Sequence, residues 1–153
     1  MIVEPSGPPC RCGRFGCWET FVSNEATWRR VHPETPFTID GFQGMLAAAK
    51  EGDLRALGSF RETARYLSLG ISNMGFAFNP AEVIIAGRIT AIWDVISNPI
   101  TTRYGSPHLS YSIRPARLSA DDSLLHGAVC LALRDTFARP QFGELPASGR
   151  RSA

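Results

Sequence analysis

The sequence predicts a mixed α/β domain, and three stretches carry that prediction. Residues 54–78 place Leu54, Leu57, Phe60, Ala64, Leu67, Ile71, Met74 and Phe78 at spacings of three or four, the period of one long amphipathic helix. Ala81-Glu82-Val83-Ile84-Ile85-Ala86-Gly87 is a short, nearly continuous apolar run rich in β-branched residues, which suits a strand buried on both faces of a parallel sheet. Asp121-Asp122-Ser123 then caps a helix carrying Leu124, Leu125, Ala128, Val129, Leu131, Ala132 and Phe137.

The 153 residues, 44% hydrophobic and 20% charged, suit one globular domain with a sizeable core. A formal net charge of +2, with the basic residues scattered apart from Arg150-Arg151, argues against a nucleic-acid surface. No apolar run approaches the roughly 18 residues needed to cross a bilayer, and the start lacks the basic-then-apolar layout of a secretory signal. The expectation is a soluble, cytoplasmic protein, in whose reducing surroundings clustered cysteines serve metal rather than disulfides.

Taken in order, residues 1–9 begin with two β-formers and then break at Pro5, Gly7, Pro8 and Pro9, a short strand entering a loop. That loop delivers Cys10-Arg11-Cys12-Gly13-Arg14-Phe15-Gly16-Cys17, a C-x-C-x4-C cluster holding three of the chain's 4 cysteines. Gly13 and Gly16 let the backbone fold back tightly, so that three sulfurs can converge on one tetrahedral ion, for which zinc fits best. The alternatives are a local disulfide or reduced core cysteines. Cysteines spaced as Cys10 and Cys12 rarely reach disulfide geometry, and polar, glycine-rich surroundings make poor core. Structural zinc takes four protein ligands, and the next candidates, His32 and Cys130, lie well outside the cluster.

From Cys17 to Val31 the spacing of Trp18, Phe21, Val22, Ala26 and Trp28 predicts a helix, with Ser23 and Asn24 interrupting it. Glu19 falls at its start, where a carboxylate stabilises the helix N-terminus through the dipole. His32-Pro33-Glu34-Thr35-Pro36 is a break. His32 is a stand-in metal ligand on position alone, although a histidine beside a proline turn is usually solvated. Thr38 or Asp40 caps a second helix to Lys50, with Phe42, Met45, Leu46 and Ala49 as its stripe and Gly52 as its stop. The long helix from Asp53 to Asn79-Pro80 comes next, its stripe long enough to serve a partner subunit but best used by the core.

After the 81–87 strand, Ile89 to Ile96 start a helix, and strand, tight turn and helix together can present backbone N–H groups to phosphate. Asn98-Pro99 interrupts the helical pattern, with continuation through Arg103 as the alternative. Tyr104-Gly105-Ser106-Pro107 is a turn, and residues 108–118 alternate as a strand ending at Arg114-Pro115. Cys130 falls on the apolar side of the last helix, as a buried, inert thiol. Residues 140–153 lack periodicity and form a disordered tail.

Positions 10–23, Cys-Arg-Cys-Gly-Arg-Phe-Gly-Cys-Trp-Glu-Thr-Phe-Val-Ser, resemble the cysteine signature of the ROK family of bacterial sugar-responsive repressors and sugar kinases. The resemblance covers residues 1–139. It implies a zinc site of three cysteines and one histidine, placing Cys10, Cys12 and Cys17 on the metal and the family's histidine just ahead of Met1. The fold it implies is the carboxyl-terminal lobe of an actin-like ATPase of the RNase H-like, sugar kinase/Hsp70 type. The phosphate-gripping Asp-x-Gly-x-Thr loop, the catalytic aspartate and the helix-turn-helix of the repressors belong to the other half. Glu19 takes the place of a carboxylate that accepts hydrogen bonds from sugar hydroxyls.

Gly87 and Arg88 stand where the kinases of the family carry a glycine pair or triplet against the nucleotide. Arg88 puts a bulky cation where backbone must approach ATP, which favours loss of nucleotide binding, although arginine also pairs with phosphate. The expectation is a fragment of a ROK-family transcriptional regulator, binding a sugar or sugar-phosphate effector, homo-oligomeric, without catalysis, and without membrane or DNA contact from this portion. The alternative is the carboxyl-terminal half of an ATP-dependent, glucokinase-like sugar kinase of the same family.

Overall fold

Short capping side chains mark where three of the helices of this chain begin. In the computed structural model, residues 1–102, 111–118 and 120–137 are described. They form α1 (Glu19–Val22), α2 (Asn24–Arg29), α3 (Ile39–Lys50), α4 (Leu54–Phe78), β1 (Glu82–Ile85), a 3-10 helix (Arg88–Ile92), α5 (Trp93–Thr102), β2 (Ser112–Pro115) and α6 (Ala120–Phe137). The expected turn at 104–107 and the tail at 140–153 lie outside the described residues. The Ser23 hydroxyl accepts from Ala26 N at 3.1 Å, Thr38 Oγ1 from Gly41 N at 3.0 Å, and Asp53 Oδ1 from Ala56 N at 2.8 Å. Each satisfies an amide that a helix start leaves without a partner. At the far end of α4, Asn79 turns left-handed (φ 43°, ψ 56°) and returns its N–H to the Gly75 carbonyl.

Residues 1–119 make one unit and 120–153 another. In the first, α3, α4 and α5 enclose the core, with Phe42, Phe60 and Ile96 fully buried. The Phe42 and Phe60 rings meet edge to face with centroids 5.8 Å apart. β1 and β2 pair in parallel, from Glu82 beside Ser112 to Ile85 beside Pro115. Among the described residues no helix is long and apolar enough to cross a membrane.

Several local expectations change. The helix from Cys17 becomes two, because Ser23 leaves helical conformation (ψ 156°) to cap α2. Residues 1–9 form no strand; Ile2 and Pro9 make isolated antiparallel bridges to Cys17 and Phe15. At Pro99 the alternative of a continuing helix holds: α5 runs on to Thr102, and Ile96 and Ile100 on either side of the missing N–H are buried, as is Ile92 just before α5. β1 is buried on one face only. Val83 and Ile85 join the core with Ile113, while Ile84 is 52% exposed on the side that no helix of the core covers.

The stripe of α4 also shifts. Leu54 and Phe78 are 80% and 77% exposed, and the buried side consists largely of small residues, among them Ala56, Ser59, Thr63, Ser68 and Gly70. Helices α1, α2 and α5 approach α4 closely, and small side chains permit that approach. Cys130 is exposed rather than buried, as are Leu124, Leu125, Val129, Leu131 and Leu133 beside it on α6.

A three-cysteine loop and the cleft beside it

The loop from Gly7 to Cys17 closes through backbone bonds that need glycine at one corner. Gly16 N donates to Pro8 O at 2.8 Å, Val3 N to Gly16 O at 2.9 Å, Cys10 N to Arg14 O at 2.7 Å and Gly13 N to Cys10 O at 3.0 Å. Gly16 has φ +62°, and a Cβ there would lie 1.4 Å from the Glu4 carbonyl oxygen. No side chain fits at that corner, for both strain and space.

This fold-back brings Cys10, Cys12 and Cys17 together. Their sulfurs all lie within 4.8 Å of one another, and Cys12 and Cys17 are 3.4 Å apart. Tetrahedral zinc thiolates, with bonds of about 2.3 Å, need sulfurs about 3.8 Å apart, so this trio suits a metal ion. The burial is graded, with Cys17 buried, Cys10 half-buried and Cys12 exposed. A hydrogen bond from the backbone at Arg14, aided by the Cys17 and Cys10 thiols, lowers the Cys12 pKa to about 7. Cys17, beside Cys12 and out of water, is pushed up to about 11. Cys12 therefore ionises before Cys17, and a bound cation would favour the thiolate form of each ligand.

His32 does not join the cluster. Its ring stacks on the Trp28 indole with centroids 4.0 Å apart, and among the described residues the grouped donors are the three cysteines alone.

The residues that leave the loop are anchored to α4. Trp18 Nε1 donates to the Tyr66 carbonyl at 2.7 Å, and the indole lies flat over Gly70, where a Cβ would come within 2.1 Å of it. Phe21 stacks on Tyr66 with centroids 4.1 Å apart. Glu19, exposed in the single turn of α1, faces a cleft of about 460 Å³ that Cys10, Thr20, Glu25, Arg29 and Arg30 also line. Glu25 bridges Arg29 at 2.6 Å and Arg11 at 3.4 Å across its mouth. These exposed pairs hold the cleft's shape weakly.

Gly87 and Arg88 are not among the residues lining this cleft. Gly87 turns at φ +114° and its carbonyl accepts from Thr90 N at 3.1 Å and Thr90 Oγ1 at 2.8 Å. The next element is a 3-10 helix of 5 residues rather than the expected α-helix, so the amides there do not form the N-terminus of a long helix. Arg88 is half-buried at its start.

One group of residues had no motif to announce it. Arg30 donates through Nη2 to the Phe21 carbonyl and through Nη1 to Thr63 Oγ1 at 2.7 Å and Ser59 O at 3.3 Å. Burial lowers its pKa from the ordinary arginine value, against the pull of Glu62. The dipeptide Arg29-Arg30 on a short helix was the only signal, and its two members divide between the surface and the interior.

Comparison with known proteins agrees with the cysteine motif. The chain is 28% identical over 123 residues to the xylose repressor of Bacillus spizizenii, covering 77% of this chain and 32% of that one. It is 30% identical over 118 residues to a glucokinase of Streptomyces coelicolor, covering 67% and 37%. The chain thus spans about a third of the length of these curated relatives. Its fold matches the ROK glucokinase of Streptomyces griseus, solved with glucose and AMPPNP, at a TM-score of 0.66 and 27% identity, over 84% of this chain and 48% of that one. The model of the ROK family matches residues 1–135, and the chain belongs to that family.

Proposed function

We propose that this chain is part of a sugar-responsive transcriptional regulator of the ROK family. In this reading residues 1–139 are the carboxyl-terminal lobe of its actin-like fold. They supply a structural zinc, part of the site for a sugar or sugar-phosphate effector, and a surface for homo-oligomerisation. The observation that carries the reading is the placement of Glu19 on a cleft that Cys10, one of the three converging thiols, also lines. Cys10, Cys12 and Cys17 would hold zinc, whose role is to pin the loop rather than to react. Glu19, on the turn that leaves the loop, then offers its two carboxylate oxygens as acceptors to sugar hydroxyls. Exposed Phe76 and Phe78 at the end of α4 support a surface that another subunit covers.

The test joins elemental analysis to calorimetric titration of the chain with D-glucose and D-xylose, before and after Glu19→Gln. The expected result is about one zinc per chain and saturable binding of one sugar, weakened roughly tenfold or more by the substitution. Binding of neither sugar, or equal binding by the variant, would show the reading to be wrong. The alternative reading, a glucokinase-like sugar kinase, draws support from the resemblance to the Streptomyces enzymes. Saturable ATP binding that protects the turn at Gly87 and Arg88 would favour it over the regulator.

A further inference from the structure

The sharp break between α1 and α2 sets Phe21 O and Ser23 O at the corner; Ser23 O already accepts from Thr27 N at 3.0 Å, and both carbonyls are also reached, directly or through hydroxyls, from the half-buried Arg30. Arg30 Nη2 donates to Phe21 O directly. Its Nη1 donates to Thr63 Oγ1 at 2.7 Å, and because a guanidinium can only donate, that hydroxyl oxygen must accept. The Thr63 proton is thereby free for Thr27 Oγ1, 2.7 Å away, and Thr27 passes its own proton to Ser23 O at 2.9 Å. The charge of Arg30 thus sets the direction of a chain of bonds that ends on the other side of the corner, and bonds in such a chain strengthen one another. Thr27 and Thr63 are 1% and 0% exposed, so no water substitutes for either partner.

We infer that Arg30 is a positioning residue for the cleft: its forked guanidinium clamps the single turn of α1, and with it Glu19, to α4. This inference rests on the proposed sugar role of Glu19 for its purpose, though not for its geometry. A four-residue helix, Glu19–Val22, has too few internal bonds to hold its own orientation. Besides the short α2, it packs on the 25-residue α4, which supplies Thr63 and Ser59 to the clamp, and Tyr66 and Gly70 to Trp18 and Phe21. Lysine at position 30 would keep the charge but could not serve the Phe21 carbonyl and the Thr63 hydroxyl as a planar fork does.

The experiment compares the chain with Arg30→Lys and Thr63→Val, the second being a near-isosteric change that removes the relay and leaves the cation. Hydrogen exchange reads the clamp without any ligand. The amides of Val22 and Ser23, bonded to Trp18 O and Glu19 O, should lose protection roughly tenfold or more in both variants, while α3 and α5 keep theirs. Unchanged protection in α1, or an equal loss in all three helices, overturns the inference. Titration with D-glucose and D-xylose reads the purpose. Arg30→Lys should weaken sugar binding, and combined with Glu19→Gln it should add less than about threefold to what Glu19→Gln does alone, since the two act through one carboxylate. Full additivity would refute action through Glu19. Wild-type chain that binds neither sugar would remove the sugar role while the exchange data still decide the clamp.

Discussion

Gly70 offers a quantitative test of how the cysteine loop is fastened to the rest of the unit. It lies in the middle of α4, where alanine is normally favoured over glycine by about 1 kcal/mol. A Cβ at this position, however, would lie 2.1, 2.4 and 2.5 Å from three atoms of the Trp18 indole. The indole cannot step aside freely, because its N–H is engaged with Tyr66 O at 2.7 Å and its backbone N with Met1 O at 2.9 Å. Overpacking of this kind costs about 1–3 kcal/mol, and losing the indole bond costs about 1 kcal/mol more. The steric term outweighs propensity, so Gly70→Ala should destabilise the chain by about 1–3 kcal/mol. Gly58→Ala in the same helix, where an added Cβ meets nothing within 4 Å, should stabilise it by up to about 1 kcal/mol. Urea unfolding of the metal-replete chain, monitored by far-UV circular dichroism, gives both values. A Gly70→Ala variant as stable as wild type would mean that Trp18 is not seated on α4, and the account of how Glu19 is positioned would fail with it.

The same geometry sets further outcomes. Gly16→Ala, confronting a carbonyl oxygen at 1.4 Å and a left-handed φ, should open the loop, and bound metal per chain should fall towards zero in elemental analysis. Removing metal with a chelator should lower the unfolding temperature of the wild-type chain and leave that of a Cys10→Ser, Cys17→Ser double variant unchanged. Glu82 pairs with Arg114 at 2.6 Å across β1 and β2, and this guanidinium lowers the Glu82 pKa from its ordinary value. A depressed carboxylate pKa stabilises the folded chain above the ordinary glutamate range and loses that contribution as pH falls through the folded value. Unfolding temperatures of wild type and Glu82→Gln should therefore differ slightly near neutral pH and converge in acid, with the difference shrinking in high salt because the pair is exposed.

Where local chemistry decides, the sequence is a sufficient guide. Ser, Thr and Asp before an apolar stripe announce capped helix starts, and Thr38 and Asp53 do cap α3 and α4. The left-handed stop at Asn79 before Pro80 is equally local. The three cysteines are legible for the same reason, since two glycines within eight positions allow only a tight fold-back, and the sulfurs have nowhere else to converge. Periodicity misled at Leu54, Phe78 and Ile84 because an apolar side chain has a burial only when something covers it, and no element of the core lies over those positions. At Pro99 the sequence left the helix open to either outcome, and tertiary burial of Ile96 and Ile100 decided for its continuation to Thr102.

The clamp around Arg30 was invisible in the sequence for a physical reason. Its members, Phe21, Thr27, Arg30, Ser59 and Thr63, come from three helices, and serine or threonine in a helix ordinarily signals exposure. Only the crossing of α2 over α4 turns their hydroxyls into a buried, directed chain, just as only the closeness of Trp18 makes Gly70 indispensable. The sequence by itself determined the three-cysteine loop, the capped starts of α3 and α4 and, through the cysteine signature, the family, because each depends on residues close together in the chain. Tertiary structure alone decided which face of α4 is buried, that Glu19 opens on a cleft, and what holds it there, because those depend on distances between helices that no spacing in the sequence encodes.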